Sequence, residues 1–300
     1  GHFNCLRSTS RFFVSADSFN EIRQRHNAKP KQSRKGGLSM KPVIRILFLA
    51  LFFNAPLASA ETAEDKGLAI AKEDDRRDNG FHDFTANMVM VLKNRQGETS
   101  TRHIRNKTLE VDGDGDKSIS IFDRPRDVKG TALLNFTHKV GTDDQWLYLP
   151  ALKRVKRISS SNKSGSFMGS EFAYEDVTSQ EVEKYTYKWL RDENLDAKKC
   201  FVFERYPVYK SSGYTRQVVW MDQAEYKILK IDYYDRKNTL LKTLTQSDFH
   251  QYLDAYWYPE NMHMVNHQTG KSTLLTWSDY KFNTGLSNKN FNKNSLKRAR

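Results

Sequence analysis

The chain has 300 residues and a formal net charge of +13, from 49 Lys/Arg against 36 Asp/Glu. Residues 1–60 hold ten Lys/Arg and two Asp/Glu, so eight of those charges lie there and residues 61–300 keep only five. That balance excludes a nucleic-acid-binding charge density, and residues 61–300 contain no apolar run long enough to span a bilayer.

Residues 1–39 begin with Gly, are basic and lack apolar periodicity. They read as an over-extended or non-native N-terminus, with Met40 as the first residue. Residues 40–60 read as a signal peptide. Lys41 and Arg45 precede the apolar run Ile46–Phe53, Pro56 breaks it, and Ala58-Ser59-Ala60 supplies the small residues of a cleavage site after Ala60. With no Cys near that site, the exported product is expected to diffuse freely, in the periplasm of a Gram-negative cell. Cys200 is the sole cysteine after residue 60 and lies in the apolar run CFVFE, where a buried small residue is expected.

Glu64–Arg77 has helical composition, with Leu68 and Ala71 on one face. After Asn79-Gly80 the pattern changes to strands: Phe84–Leu92, Glu98–Leu109, Ser118–Phe122, Thr131–Phe136 and Trp146–Leu149. Val182–Trp189, Cys200–Tyr206, Thr215–Met221, Lys227–Tyr234, Thr239–Phe249, Tyr256–Asn266 and Ser272–Phe282 follow, separated by short turn signals. The fold class is therefore mainly β: one antiparallel domain over 61–285, a curved sheet or partial barrel, with a flexible basic tail at 286–300. Trp146–Leu149 and Val218–Met221 are apolar on both faces. A second layer must cover them, and the N-terminal helix and Phe167–Tyr174 are the available covers.

Gln145–Asp176 is the most informative segment. An apolar strand is followed by the cations Lys153, Arg154, Lys156 and Arg157, a Ser/Gly loop over Ser159–Gly165, and a second aromatic group. An amphiphile with an apolar tail and an anionic head could use all three. Trp146, Leu147, Tyr148, Leu149, Phe167, Met168, Phe172 and Tyr174 are the candidate tail contacts, and Arg154, Lys156 and Arg157 the candidate headgroup contacts. The loop would let a lid move. The same aromatics could equally be packed core, and the same cations a solvated edge that blocks aggregation.

Other motifs fail. Gly270-Lys271-Ser272 lacks the upstream glycine of a phosphate loop, because Val265 stands there. Ser160 and Lys163 lack the companion motifs of a Ser/Lys nucleophile. His263 and His267, four apart on a strand, would be roughly 13 Å apart, too far to share zinc. Asp112, Asp114 and Asp116 alternate as in a calcium loop, but Lys117 occupies the glycine position, so a solvated turn is favoured and no metal is expected. No nucleophile elbow or Ser/His/Asp order is present. The chain reads as not an enzyme, with no cofactor.

Gly67–Gly80, Lys129–Leu134, Asp144–Ile158, Ser164–Val177, Val218–Asp235 and Leu240–Thr243 together resemble the LolA-like superfamily. The similarity is to its outer-membrane lipoprotein-sorting branch, typified by a phospholipid-binding treponemal domain, and covers almost all of 61–285. The resemblance implies a half-open antiparallel β-barrel closed by α-helices around an apolar cavity. It implies a carrier that binds phospholipid or lipoprotein acyl chains, touches membranes transiently and works with an inner-membrane transporter of the RND type. It brings no catalytic residues. The alternative is a non-catalytic accessory of an envelope complex, binding a protein partner by a sheet edge.

Overall fold

A computed structural model describes residues 60–298, within a compact unit spanning Ala58–Arg300. The expectations for residues 1–59 lie outside the described residues.

The first element is helix α1 (Ala63–Asp78). Thr62 caps it, its side chain accepting from the Asp65 N–H at 3.0 Å. Acidic Glu64 and Asp65 in the first turn, and basic Arg76 and Arg77 in the last, suit the helix dipole. Gly67, Ile70 and Ala71 form its buried stripe, at the i, i+3, i+4 spacing of an amphipathic helix.

Thirteen strands follow as two meanders. The first is β1 (Asp83–Lys93), β2 (Thr99–Leu109), β3 (Lys117–Arg124), β4 (Ala132–Phe136), β5 (Asp144–Leu149) and β6 (Arg154–Arg157). The second is β7 (Tyr185–Leu195), β8 (Lys198–Pro207), β9 (Tyr214–Asp222), β10 (Ile228–Asp235), β11 (Leu240–Tyr252), β12 (Tyr256–Asn266) and β13 (Ser272–Phe282). The last strand pairs antiparallel with the first, Met88 opposite Trp277 and Met90 opposite Leu275. One curved, unclosed antiparallel sheet results, with β6 and β7 as its edges. The mainly-β, LolA-like fold expected from sequence is what forms. The sequence reading missed β6 as a strand, because Arg-Val-Lys-Arg carries no apolar alternation.

Residues 158–184 join the two edges and lie on the inner face as a strap. Phe167 and Phe172 are each 2% exposed, and Phe167 packs on Phe122 with ring centroids 5.8 Å apart. The strap is bonded along its length. Gln145 donates to the Tyr174 carbonyl at 2.9 Å and Asn135 to the Val177 carbonyl at 3.0 Å. Glu175 accepts from the Ser212 hydroxyl and the Gly213 N–H, both at 2.8 Å. Asp176 accepts from Lys242 at 2.6 Å and from the Tyr214 hydroxyl at 2.8 Å. The Ser/Gly loop is held too, since buried Lys163 donates to the Asp143 carbonyl at 2.6 Å.

The two-faced strands are as their alternation predicts. Leu147 and Leu149 join the inner core, while Trp146 and Tyr148 join a smaller outer cluster with Ile119, Ile121 and Leu134. The cover on that outer side is the C-terminal tail. It was expected to be flexible, but it carries helix α2 (Lys293–Lys297) and buries Phe291 and Leu296, 3% and 0% exposed. The outer face of β3–β5 is apolar, and covering it removes apolar surface from water at about 25 cal/mol per Å².

Candidate functional site

The strap fills part of the concave face, and the rest is open. A cavity of about 780 Å³ lies between the C-terminal half of α1 and the inner face of the sheet. That volume falls within the roughly 300–1,000 Å³ of ligand pockets. Its lining is both apolar and acidic, which differs from the purely apolar cavity that the resemblance implies.

The apolar wall is aromatic. Phe84 of β1, Tyr256 and Tyr258 of β12, and Trp277 and Tyr280 of β13 line it. Tyr258 and Tyr280 stack nearly parallel, with centroids 5.4 Å apart and planes 6° from each other, and Phe84 lies 5.5 Å from Tyr280 and 5.7 Å from Tyr258. The wall is built across the β1–β13 seam. There the register shifts between Thr85 and Asn87, opposite left-handed Asp279 (φ 55°), a β-bulge that keeps Trp277 and Tyr280 on one face.

The acidic end draws on three elements. Asp74 and Asp78 come from α1, Asp116 from the turn before β3, and Glu181 from the strap. Burial pushes the Asp74 carboxyl up to about 7 against the pull of Arg205. Burial, then the charge of Asp74, pushes Asp78 up to about 7, while the Tyr258 hydroxyl offsets part of the rise. Burial, then Asp78 and Glu110, pushes Asp116 up to about 7. Burial, then Asp116, pushes Glu181 up to about 7 against Lys139 and Lys184. Each acid thus raises the next, so the four form one electrostatic group. Asp78 is exposed, so solvent screens its share of this coupling, and Asp74, Asp116 and Glu181 are the better-shielded members. Glu181 is only 7% exposed, and among the described residues its carboxylate has no hydrogen-bond donor and no ion-pair partner.

None of the eight tail-contact candidates lines this cavity. Leu147, Phe167 and Phe172 are buried in the inner core, with Leu149, Met168 and Tyr174 packed against it. Trp146 and Tyr148 point to the outer face. Arg154, Lys156 and Arg157 are exposed on edge strand β6, where Arg157 donates to Asp144, and they lie away from the cavity lining. Asp112, Asp114 and Asp116 do not converge on one point. Asp114 meets His138 Nδ1 at 2.8 Å and the Lys139 N–H at 2.9 Å, Asp116 accepts from Ser179 at 3.3 Å, and Asp112 is exposed. Among the described residues no group of three His, Cys, Asp or Glu is placed to hold a metal ion. The signal for the cavity that the sequence did carry was the aromatic density of Tyr252–Tyr258 and Trp277–Phe282.

A curved antiparallel sheet with a cavity under an N-terminal helix defines the LolA-like fold. A family profile described as "Uncharacterized protein" matches residues 114–298. A solved domain from Vibrio parahaemolyticus, described as an outer-membrane lipoprotein-sorting protein, is 60% identical at a TM-score of 0.77, over 78% of this chain and 100% of its own. A DUF1329 family protein from Desulfovibrio piger is 33% identical at a TM-score of 0.74, over 78% of this chain and 99% of its own. A LolA superfamily protein from Nitrosomonas europaea, at 21% identity and a TM-score of 0.63, shares the fold over 76% of this chain. No curated protein matches the chain. The chain belongs to the family of the Vibrio outer-membrane lipoprotein-sorting domain and the Desulfovibrio DUF1329 protein, and its fold is LolA-like.

Proposed function

We propose that this protein is a non-catalytic periplasmic carrier that holds the acyl chains of a phospholipid or lipoprotein in the cavity beneath α1 and moves them towards the outer membrane. The cavity of about 780 Å³ with its aromatic wall is the observation that carries this reading. An acyl chain exposed to water costs about 0.8 kcal/mol per CH₂, so transfer across an aqueous compartment needs such a shield. The exposed cations Arg154, Lys156 and Arg157, beside Leu152 at 63% exposure, suit a transient contact with an anionic membrane surface rather than a headgroup inside the cavity. An inner-membrane transporter of the RND type is the partner that the family resemblance implies.

The test fills the cavity. Met262 lines it and is partly buried. Met262→Trp is expected to lower the uptake of a fluorescent fatty-acid probe about tenfold, with a melting temperature within a few degrees of the parent. Native mass spectrometry of protein taken from its own envelope should show bound lipid, and crosslinking before extraction tests the partner. A parent protein that carries no lipid and takes up no probe would falsify the carrier reading.

A further inference from the structure

We propose that the acidic end of the cavity receives an ammonium group, so that the amphiphile carried is an amine-headed lipid. This rests on the carrier reading and adds the chemistry of the head. Glu181 is the centre of the proposal. It lines the cavity, is 7% exposed and has no bonded partner among the described residues. Its carboxylate oxygens keep contact with the cavity space, so an arriving cation can reach them, and the low exposure of the residue strengthens that attraction. The packing around it is close: a Cβ added at Gly115 would come within 2.8 Å of Glu181 Oε1.

The nearby protein cations leave the position open. Arg205, the cation that draws on Asp74, spends its Nε on Gln217 at 2.7 Å. Lys184, which faces Glu181 from the strap, is bonded to Asp143. Arg76 and Arg77 at the helix end are held by Glu73 at 2.7 and 2.8 Å. Lys139, from the turn before β5, is left as the remaining counter-charge to Glu181, while Lys227, which also lines the cavity, lies over the Trp257 ring 3.9 Å from its centroid and 4.0 Å from Asp222. Asp78 sees Asp74, Asp75 and Glu110, and Asp116 sees Asp78 and Glu110, so acids outnumber free cations at this end. An ammonium supplies three N–H donors and the missing charge in one group.

The orientation follows. Tyr258 contacts Asp78 and stacks on Tyr280, so the aromatic wall starts where the acidic end stops. The head enters the acids and the chain lies along the rings. This reverses the polarity expected from the sequence, in which cations met an anionic head.

Two single-chain lipids with the same acyl chain and phosphate, differing in the ammonium, make the test. Lysophosphatidylethanolamine and lysophosphatidylglycerol are titrated into the purified protein below their micellar concentrations, with binding read by calorimetry at pH 8 and pH 6. At pH 8 the ethanolamine lipid is expected to bind about tenfold more tightly. The preference should shrink at pH 6, where the four acids take up protons. Glu181→Gln and Asp78→Asn should bring the ratio of the two affinities towards one, and thermal melts of both variants report whether they fold. Equal binding, or tighter binding of the glycerol lipid, overturns the ammonium assignment and leaves the carrier standing. Binding of neither overturns both.

Discussion

Asp176 and Lys242 meet at 2.6 Å with side chains only 5% and 4% exposed. Lys242 also donates to the Glu171 carbonyl at 2.8 Å, so one lysine on β11 ties two points of the strap to the sheet. Breaking a buried pair leaves a bare charge in the interior, and Asp176→Ala is expected to cost about 3–5 kcal/mol in a denaturant titration. Replacing both partners by Leu and Met should cost much less; an equal loss would show that the pair acts through its hydrogen bonds to Tyr214 and Ala173 instead. These two residues show what was hidden at this scale. Asp176 stood in the sequence as the polar end of an aromatic segment, and Lys242 as one lysine among many. Their pairing spans 66 positions, and no local pattern encodes it. The same holds for Glu181 and Asp78, ordinary surface-type acids until the strap and the helix face each other.

Helix α1 presses on edge strand β7 at a glycine. A Cβ on Gly67 would lie 2.9 Å from the backbone nitrogens of both Lys188 and Trp189. Alanine is the better helix former by about 1 kcal/mol, so local propensity favours Gly67→Ala, whereas packing opposes it. The expectation is a lower melting temperature together with weaker probe uptake, because α1 is one wall of the cavity. A rise in melting temperature would mean that the helix shifts without cost. Elements were the most legible level. α1 and the twelve strands other than β6 follow from period and turn signals, since alternation is a property of neighbouring residues. The strap and the tail were legible only in part. Their short 3-10 turns and α2 carry no periodic pattern, and what holds them is the apolar surface of strands distant in sequence.

For the whole molecule, the acidic end of the cavity sets a pH dependence. Burial pushes Asp74, Asp116 and Glu181 up to about 7 when folded, against ordinary carboxyl values near 4 when unfolded, and exposed Asp78 is raised in the same direction under solvent screening. Groups raised on folding contribute stability that is fully present below the unfolded value and lost as pH rises through the folded one. The melting temperature of the ligand-free protein should therefore climb as pH falls from 8 to 5. Asp83 does not oppose this within that window. Burial pushes its carboxyl up, but hydrogen bonds from Thr284 and Gly285 outweigh that and hold it below its usual range. Glu181→Gln should raise the melting temperature at pH 8 and flatten the slope. A slope of the opposite sign would show that the four acids are hydrated as they are in the unfolded chain. The seam between β1 and β13 governs when all of this comes into being. Phe84 and Phe282 are direct neighbours in the centre of the sheet, yet lie almost at opposite ends of the folded chain. Closing that gap is the longest loop closure in the fold. The ring stack and the acids around it share no wall until then. The cargo compartment thus depends on a strand made at the very end of the folded chain, and a chain still emerging has nowhere to put a lipid.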